Sequence, residues 1–302
     1  MKKSFILVQG PTGVGKSDTV TEIGNNLDIE IINCDMGQFY EPVAIGTAKP
    51  HWQKENIPHH LFDVITEPKN LTVAEYRKKI LLKMEEIWER KKTPVLVGGS
   101  GFYGKSLFFP PQGISSDGSS YNTLKTWDEL FSVDPDRAQE IDKHDHYRIQ
   151  RAFELLSKGI TPSTVKPVYK PPADDFLLIF LSREREELYT RINTRTEKML
   201  QEGWIEETKK LMGTKWEPFL EQKKLIGYPE IFEYLRGNDS FEYMQKTIQK
   251  KTRHYAKRQM TFWRMFKRCM QEEGQESKLC EINLSDQTGK AILKEKLKTF
   301  AQ

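Results

Sequence analysis

The chain has 302 residues, 37% hydrophobic and 30% charged, which is enough apolar material for a buried core and excludes a mainly disordered protein. Forty-seven Lys and Arg against 43 Asp and Glu leave a net charge of +4, so the placement of charge is more informative than its sum. The first apolar run is too short for a signal segment, no stretch approaches membrane-spanning length, and Cys34, Cys269 and Cys280 form no C-x-x-C pair, so a soluble, monomeric, cytoplasmic protein without membrane contact or disulfides is expected.

Phe5-Ile6-Leu7-Val8 predicts a buried parallel strand that stops at Gly10-Pro11, and Val20, Ile23 and Leu27 recur beyond it at helical spacing. Ile29 to Ile32 predicts a second strand ending at Cys34-Asp35, and Pro94 to Val97 a third ending at Gly98-Gly99-Ser100. Between these, Thr72-Val73-Ala74-Glu75 has the form of a capping box, and Ile80, Met84 and Ile87 carry a helix to about Arg90. Strands alternating with helices predict a parallel α/β sheet whose ligands lie beyond the strands' carboxyl ends, so residues 8–17, 34–40 and 98–103 should converge.

After Leu107 the pattern breaks at Phe109-Pro110-Pro111, and residues 112–120 are rich in Gly and Ser, as a flexible junction would be. Asp128 to Phe131 and Tyr147 to Leu156 read as helices, and Thr161 to Asp175 is a loop with four prolines. The expected organisation is a core of residues 1–112 and 161–302 with a short helical insertion, 113–160. Leu177 to Leu181 returns to a strand, and residues 184–268 are mostly helical by period.

Gly10-Pro11-Thr12-Gly13-Val14-Gly15-Lys16-Ser17 satisfies G-x4-G-K-[ST] in its strand-to-helix context. Its backbone N–H groups would cradle an anion, Lys16 would supply charge to phosphate oxygens, and Ser17 could ligate Mg²⁺. Nucleotide kinases and ATPases with this motif need an acidic residue at the end of another strand for the metal. Val95-Leu96-Val97 ends instead in Gly-Gly-Ser, whereas the second strand ends in Asp35, followed by Gln38 and Tyr40, which suit a planar polar substrate. Asp35 by itself fits a metal-associated acid, a general base or a helix cap.

Lys246 to Arg268 carries nine Lys or Arg and no Asp or Glu, including Lys250, Arg253, Lys257 and Arg258. An acid-free run of this length favours contact with RNA phosphates over simple solvation. His59-His60 and His144-x-His146 have no set of partners completing a metal site, and Trp204, Trp216 and Trp263 are expected to pack in the core.

Four segments then follow the P-loop in order: Asn33-Cys34-Asp35-Met36-Gly37-Gln38-Phe39-Tyr40, Ile45-Gly46-Thr47-Ala48-Lys49-Pro50, Pro58-His59-His60-Leu61-Phe62-Asp63 and Val97-Gly98-Gly99-Ser100-Gly101-Phe102-Tyr103. Together with Asp145-x-x-Arg148-Ile149-x-Arg151-Ala152-Phe153-Glu154, Arg191-Ile192, Ile226-Gly227-Tyr228 and Thr252 to Thr261, this constellation resembles the tRNA dimethylallyltransferase family over residues 5–268. The resemblance implies transfer of a dimethylallyl group from dimethylallyl diphosphate to N6 of adenosine 37 in the anticodon stem-loop of tRNA, with Mg²⁺ as cofactor. It makes Asp35 the general base and the P-loop the seat of a diphosphate leaving group, in keeping with the missing carboxylate after the third strand. Ser100, where the family usually has threonine, would bond the diphosphate or orient the base. Asp35, Met36, Gly37, Gln38 and Ser100 would meet the tRNA along with the basic helix.

Three departures accompany the resemblance. Pro229 stands where the family usually has Arg or Lys, Met36 and Ala44 replace the usual Ser and Asp, and the segment between Pro111 and Asp134 is shorter than usual. These bear on tRNA affinity and leave the chemistry intact. Rival readings are an adenylate isopentenyltransferase, which would not need the basic helix, a small-molecule kinase, and a non-catalytic RNA-binding protein in which Asp35 and Lys16 would be replaceable.

Overall fold

A computed structural model describes residues 3–111 and 125–301. The Gly/Ser-rich junction and the start of the insertion at 113 lie outside the described residues. Ser4–Gln9 forms β1, Lys16–Gly24 α1, Ile29–Asn33 β2, His59–His60 the two-residue β3, Val73–Glu89 α2, Thr93–Val97 β4 and Gly101–Phe108 α3. Three short helices follow: α4 (Trp127–Val133), α5 (Pro135–Gln139) and α6 (His146–Leu156). The chain returns to the sheet as β5 (Asp175–Ser182) and continues as α7 (Arg185–Gln201), α8 (Trp204–Leu211), α9 (Trp216–Lys223), α10 (Tyr228–Leu235) and the long α11 (Phe241–Glu272). β6 (Leu279–Asn283) and α12 (Gly289–Phe300) complete it.

The strands form one parallel sheet in the order β3-β2-β4-β1-β5-β6, with Ile6 opposite Val95 and Phe5 opposite Phe176. Side chains alternate across it as the two-residue period requires. Phe5, Leu7, Ile32 and Leu96 face a core closed by α2, α3, α10 and α11, while Ile6, Val8, Ile31 and Val95 face α1, α7 and α12. Both faces are covered, which is why the strands read as unbroken apolar runs. Leu130, Ala138, Ile141, Ile149 and Ala152 form a separate small core under α4 to α6.

The capping box at α2 forms as expected: Thr72 Oγ1 accepts the Glu75 N–H at 3.2 Å, and Glu75 Oε2 accepts the Thr72 N–H at 2.8 Å. Ile80, Met84 and Ile87 are fully buried beneath it. β3, β6 and α12 were not legible in the sequence pattern. β3 is only two residues long, and β6 and α12 follow the basic helix in a charged stretch without strong periodicity. Among the described residues no helix is long and apolar enough to cross a membrane.

Candidate active site

The P-loop follows β1, the Asp35 turn follows β2 and Gly98-Gly99-Ser100 follows β4, so adjacent parallel strands bring the three to one edge. Gly13 and Gly15 take φ of +82° and +99°, a left-handed backbone that favours glycine and lets the loop curl into the start of α1. Lys16 is folded back over this loop, donating to the carbonyls of Gly10 at 2.9 Å and Pro11 at 3.0 Å. Burial lowers its pKa to about 8, with Asp35's charge opposing and Arg195's reinforcing the shift. Val14 buries its side chain in the core, and its N–H closes the loop on the Pro11 carbonyl.

β2 runs into a short turn fixed by Asn33, whose Oδ1 accepts the Asp35 N–H at 2.9 Å and whose Nδ2 donates to the carbonyls of Asp35 and Leu61. Asp35 Oδ1 accepts the Gly37 N–H at 3.2 Å, so the cap role is real. The carboxylate nonetheless opens onto two cavities. The larger, about 860 Å³, is lined by Thr12, Gly13, Gly15, Lys16, Ser17, Asp35 and Gln38, and by Arg191 and Arg195 from α7. The smaller, about 320 Å³, is lined by Met36, Gly37, Ile192, Met199, Trp204 and Ile226, with Lys223, Lys224 and Arg258 supplying positive charge. Thr12, Gly13, Asp35, Thr47, Arg195 and Met199 belong to both, so the two spaces meet beside Asp35.

Gly98 permits this closeness, since a Cβ there would lie 2.0 Å from the Cys34 carbonyl oxygen. Ser100 Oγ accepts the Met36 N–H at 3.0 Å, and the hydroxyl of Tyr255 lies beside it. Gln38 is nearly buried and spends its amide on the carbonyls of Thr47 and Ala48, each at 3.2 Å. Tyr40 is wholly buried among Trp216 and Phe219, so its expected role in reading a planar substrate is corrected to core packing. Trp204 and Trp263 are buried, as expected.

The basic helix α11 divides its charges. Lys246, Lys251 and Lys267 pair with Glu242, Glu230 and Glu281, and Arg253 turns inward to Asn193 Oδ1 at 2.6 Å. Lys250, Lys257, Arg258, Arg264 and Arg268 are exposed. His60 meets the buried Glu30 at 2.6 Å and His59 the Ile57 carbonyl at 2.7 Å, the satisfied state expected of them.

Three arginines on and before α7 have no role assigned from the sequence, Arg191 entering only as part of a motif of the resemblance. Arg183 Nε donates to the Val14 carbonyl and Arg191 Nε to the Gly13 carbonyl, both at 2.9 Å. Arg195, half-buried on the wall of both cavities, is near enough to Asp18, Asp35 and Arg191 to feel their charges; removal from water lowers its pKa while Asp18 and Asp35 oppose the shift. The available signal was β5 itself: a strand predicted at 177–181 in a parallel sheet delivers the residues after it to the same edge. Glu207 was also missed. Its carboxylate accepts the N–H groups of Ala44, Ile45 and Gly46 and the Tyr228 hydroxyl, anchoring the loop that closes the larger cavity.

A parallel α/β sheet with a glycine-rich loop beside a carboxylate, and arginines held against that loop, belongs to the class of sites suited to phosphate groups. Residues 38–266 match the family described as IPP transferase, and the chain belongs to that family. It is 36% identical over 276 residues to the tRNA dimethylallyltransferase of Thermotoga petrophila, covering 86% of this chain and 89% of that one. The full-length tRNA isopentenylpyrophosphate transferase of Bacillus halodurans superposes with a TM-score of 0.65 at 29% identity, over 99% of this chain and all of the other. A eukaryotic dimethylallyltransferase solved acting on tRNA shares the fold, with a TM-score of 0.80 at 24% identity over 98% of this chain and 78% of its own. The resemblance read from the sequence motifs is borne out.

Proposed function

We propose that this chain transfers a dimethylallyl group from dimethylallyl diphosphate to N6 of adenosine 37 in the anticodon loop of tRNA. The observation that carries the proposal is the position of Asp35 where the two cavities meet, one floored by the P-loop and the other bearing Lys223, Lys224 and Arg258. The donor's diphosphate is assigned to the P-loop side, against Lys16, Arg191 and Arg195. The adenine is assigned to the other side, entering with its backbone phosphates against basic residues.

In the reaction N6 forms a bond to the allylic C1 as the C1–oxygen bond to diphosphate breaks, and the proton shed by N6 passes to Asp35. An exocyclic amine is a poor acid until it attacks, so a carboxylate at the point of attack is a sufficient base. Negative charge grows on the departing oxygen, where Lys16 and the cradle N–H groups offset it. Ser17, Asp18 and Asp35 put hard oxygen donors on the same cavity wall, and the described residues hold no cluster of three His, Cys, Asp or Glu. That set fits a Mg²⁺ bound mainly through substrate phosphates and water, with Ser17 as its protein ligand. When bound, the ion would add electrostatic stabilisation of the diphosphate.

The test is incubation with unmodified tRNA, labelled dimethylallyl diphosphate and Mg²⁺, followed by nucleoside analysis. N6-(dimethylallyl)adenosine at position 37 is expected; label elsewhere, or none, rejects the assignment.

A further inference from the structure

Gln259 lies in the middle of α11 and reaches two loops at once. Its Oε1 accepts the backbone N–H of Thr12 in the P-loop at 2.8 Å, and its Nε2 donates to the Gly99 carbonyl at 2.7 Å. The residue is 8% exposed, with the Tyr255 hydroxyl beside both its side chain and Ser100. A Cβ on Gly99 would stand 2.3 Å from Nε2, so only a residue without one lets the amide close on this backbone. Asp35 Oδ2 would lie 3.4 Å from the same point, which places the bridge next to the carboxylate.

The amide's orientation is fixed by its partners. Reversing it would set N–H against N–H and carbonyl against carbonyl, so both bonds hold together or neither does. The P-loop seats the leaving group, while the Gly99 turn continues into Ser100, which secures the turn carrying Asp35. One side chain therefore spans the donor and base halves of the site.

We infer that Gln259 is a positioning residue that sets the spacing between the diphosphate cradle and Asp35. The inference rests on the function proposed above. It assigns Gln259 to the rate of transfer and not to the strength of donor binding, because Lys16, Arg191, Arg195 and the glycine turns remain to hold the diphosphate without it. A displacement of about 1 Å between reacting groups can cost on the order of 100-fold in rate.

The test uses Gln259→Met, which keeps the volume and removes both hydrogen bonds, and Gln259→Asn, whose amide is too short to span both partners. Both are assayed with tRNA and Mg²⁺ and normalised to folded protein. The expected result is a kcat lower by about 30- to 100-fold, with pyrophosphate inhibition changed less than about threefold. A kcat within threefold of wild type overturns the inference. So does a loss of pyrophosphate affinity equal to the loss of kcat, which would make Gln259 part of the cradle. If the Met variant does not fold, the Asn variant is judged by the same criteria; if neither folds, Gln259 is a folding residue and the inference is overturned. Wild-type enzyme in the same assay separates the two readings: a wild type that transfers no prenyl group to tRNA contradicts the proposed function itself.

Discussion

Ser100 Oγ accepts the backbone N–H of Met36 at 3.0 Å, so the serine after β4 holds the turn that carries Asp35 after β2. The contact uses a lone pair of the hydroxyl and leaves its O–H to donate, so it is compatible with either role implied for Ser100, bonding the diphosphate or orienting the base. Ser100→Ala would leave the Met36 N–H without this partner, a cost of about 1–3 kcal/mol where water cannot replace it. Turnover should fall about 10-fold, with Ser100→Thr close to wild type. Steady-state kinetics on the two variants checks this, and an Ala variant as active as the Thr variant would remove Ser100 from the site's support.

Asp35→Asn keeps an oxygen that can accept the Gly37 N–H, so the turn should survive. It removes the proton acceptor, and kcat should drop by about 10²–10⁴-fold while pyrophosphate binding is retained. Near-normal turnover would return Asp35 to the role of a cap alone.

Lys16 gives a pH dependence with a definite sign. Its pKa is lowered to about 8, chiefly by burial, so in the free protein it is charged below pH 8 and increasingly neutral above. The unfolded chain, with the ordinary lysine value of 10.5, binds more protons between these limits, so this group's contribution to stability rises with pH across that window. Ligand binding runs the other way. A bound diphosphate favours the ammonium form, so affinity for an unreactive thiodiphosphate analogue of the donor should fall as pH rises beyond about 8. Titration calorimetry between pH 7 and 9.5 should show proton uptake on binding in wild type and a flat, weaker profile in Lys16→Met. An equally flat profile in wild type would contradict it.

On α11, Lys250 and Lys257 are exposed while Lys246 is paired with Glu242. Replacing Lys250 and Lys257 by Ala should weaken tRNA binding and reduce the slope of log affinity against log salt by roughly one unit per lost phosphate contact. Lys246→Ala should change the slope far less. Filter binding across a salt series measures both, and an unchanged slope in the double variant would make this a solvated face.

The sequence was most legible where one local rule decided the outcome. The strands at Phe5, Ile29, Pro94 and Leu177 declared themselves because burial on both faces demands unbroken apolar runs, and the capping box fixed the start of α2. The strand-end rule brought Lys16, Asp35 and Gly98 together correctly. The same rule applied to the strand predicted to end at Leu181 leads to Arg183 and, through α7, to Arg195. Glu207 and Gln259 were beyond its reach. Glu207 grips backbone N–H groups more than 160 positions away and Gln259 a P-loop N–H 247 positions away, partnerships that no local spacing encodes. Tyr40 shows the converse error, a polar-tipped side chain near a site that the fold uses for packing.

The acceptor is the central question, and one comparison of kcat/KM answers it most directly. Extracting an adenine from a stacked loop costs a few kcal/mol, which phosphate contacts along the acid-free stretch 246–268 of α11 can offset. A free nucleotide needs no such surface. With labelled dimethylallyl diphosphate and Mg²⁺, unmodified tRNA bearing adenosine at positions 36 and 37 should be prenylated with a kcat/KM exceeding that for AMP, ADP or ATP by orders of magnitude. Equal or faster prenylation of a free nucleotide, or γ-phosphate transfer from ATP without prenylation, would contradict the account.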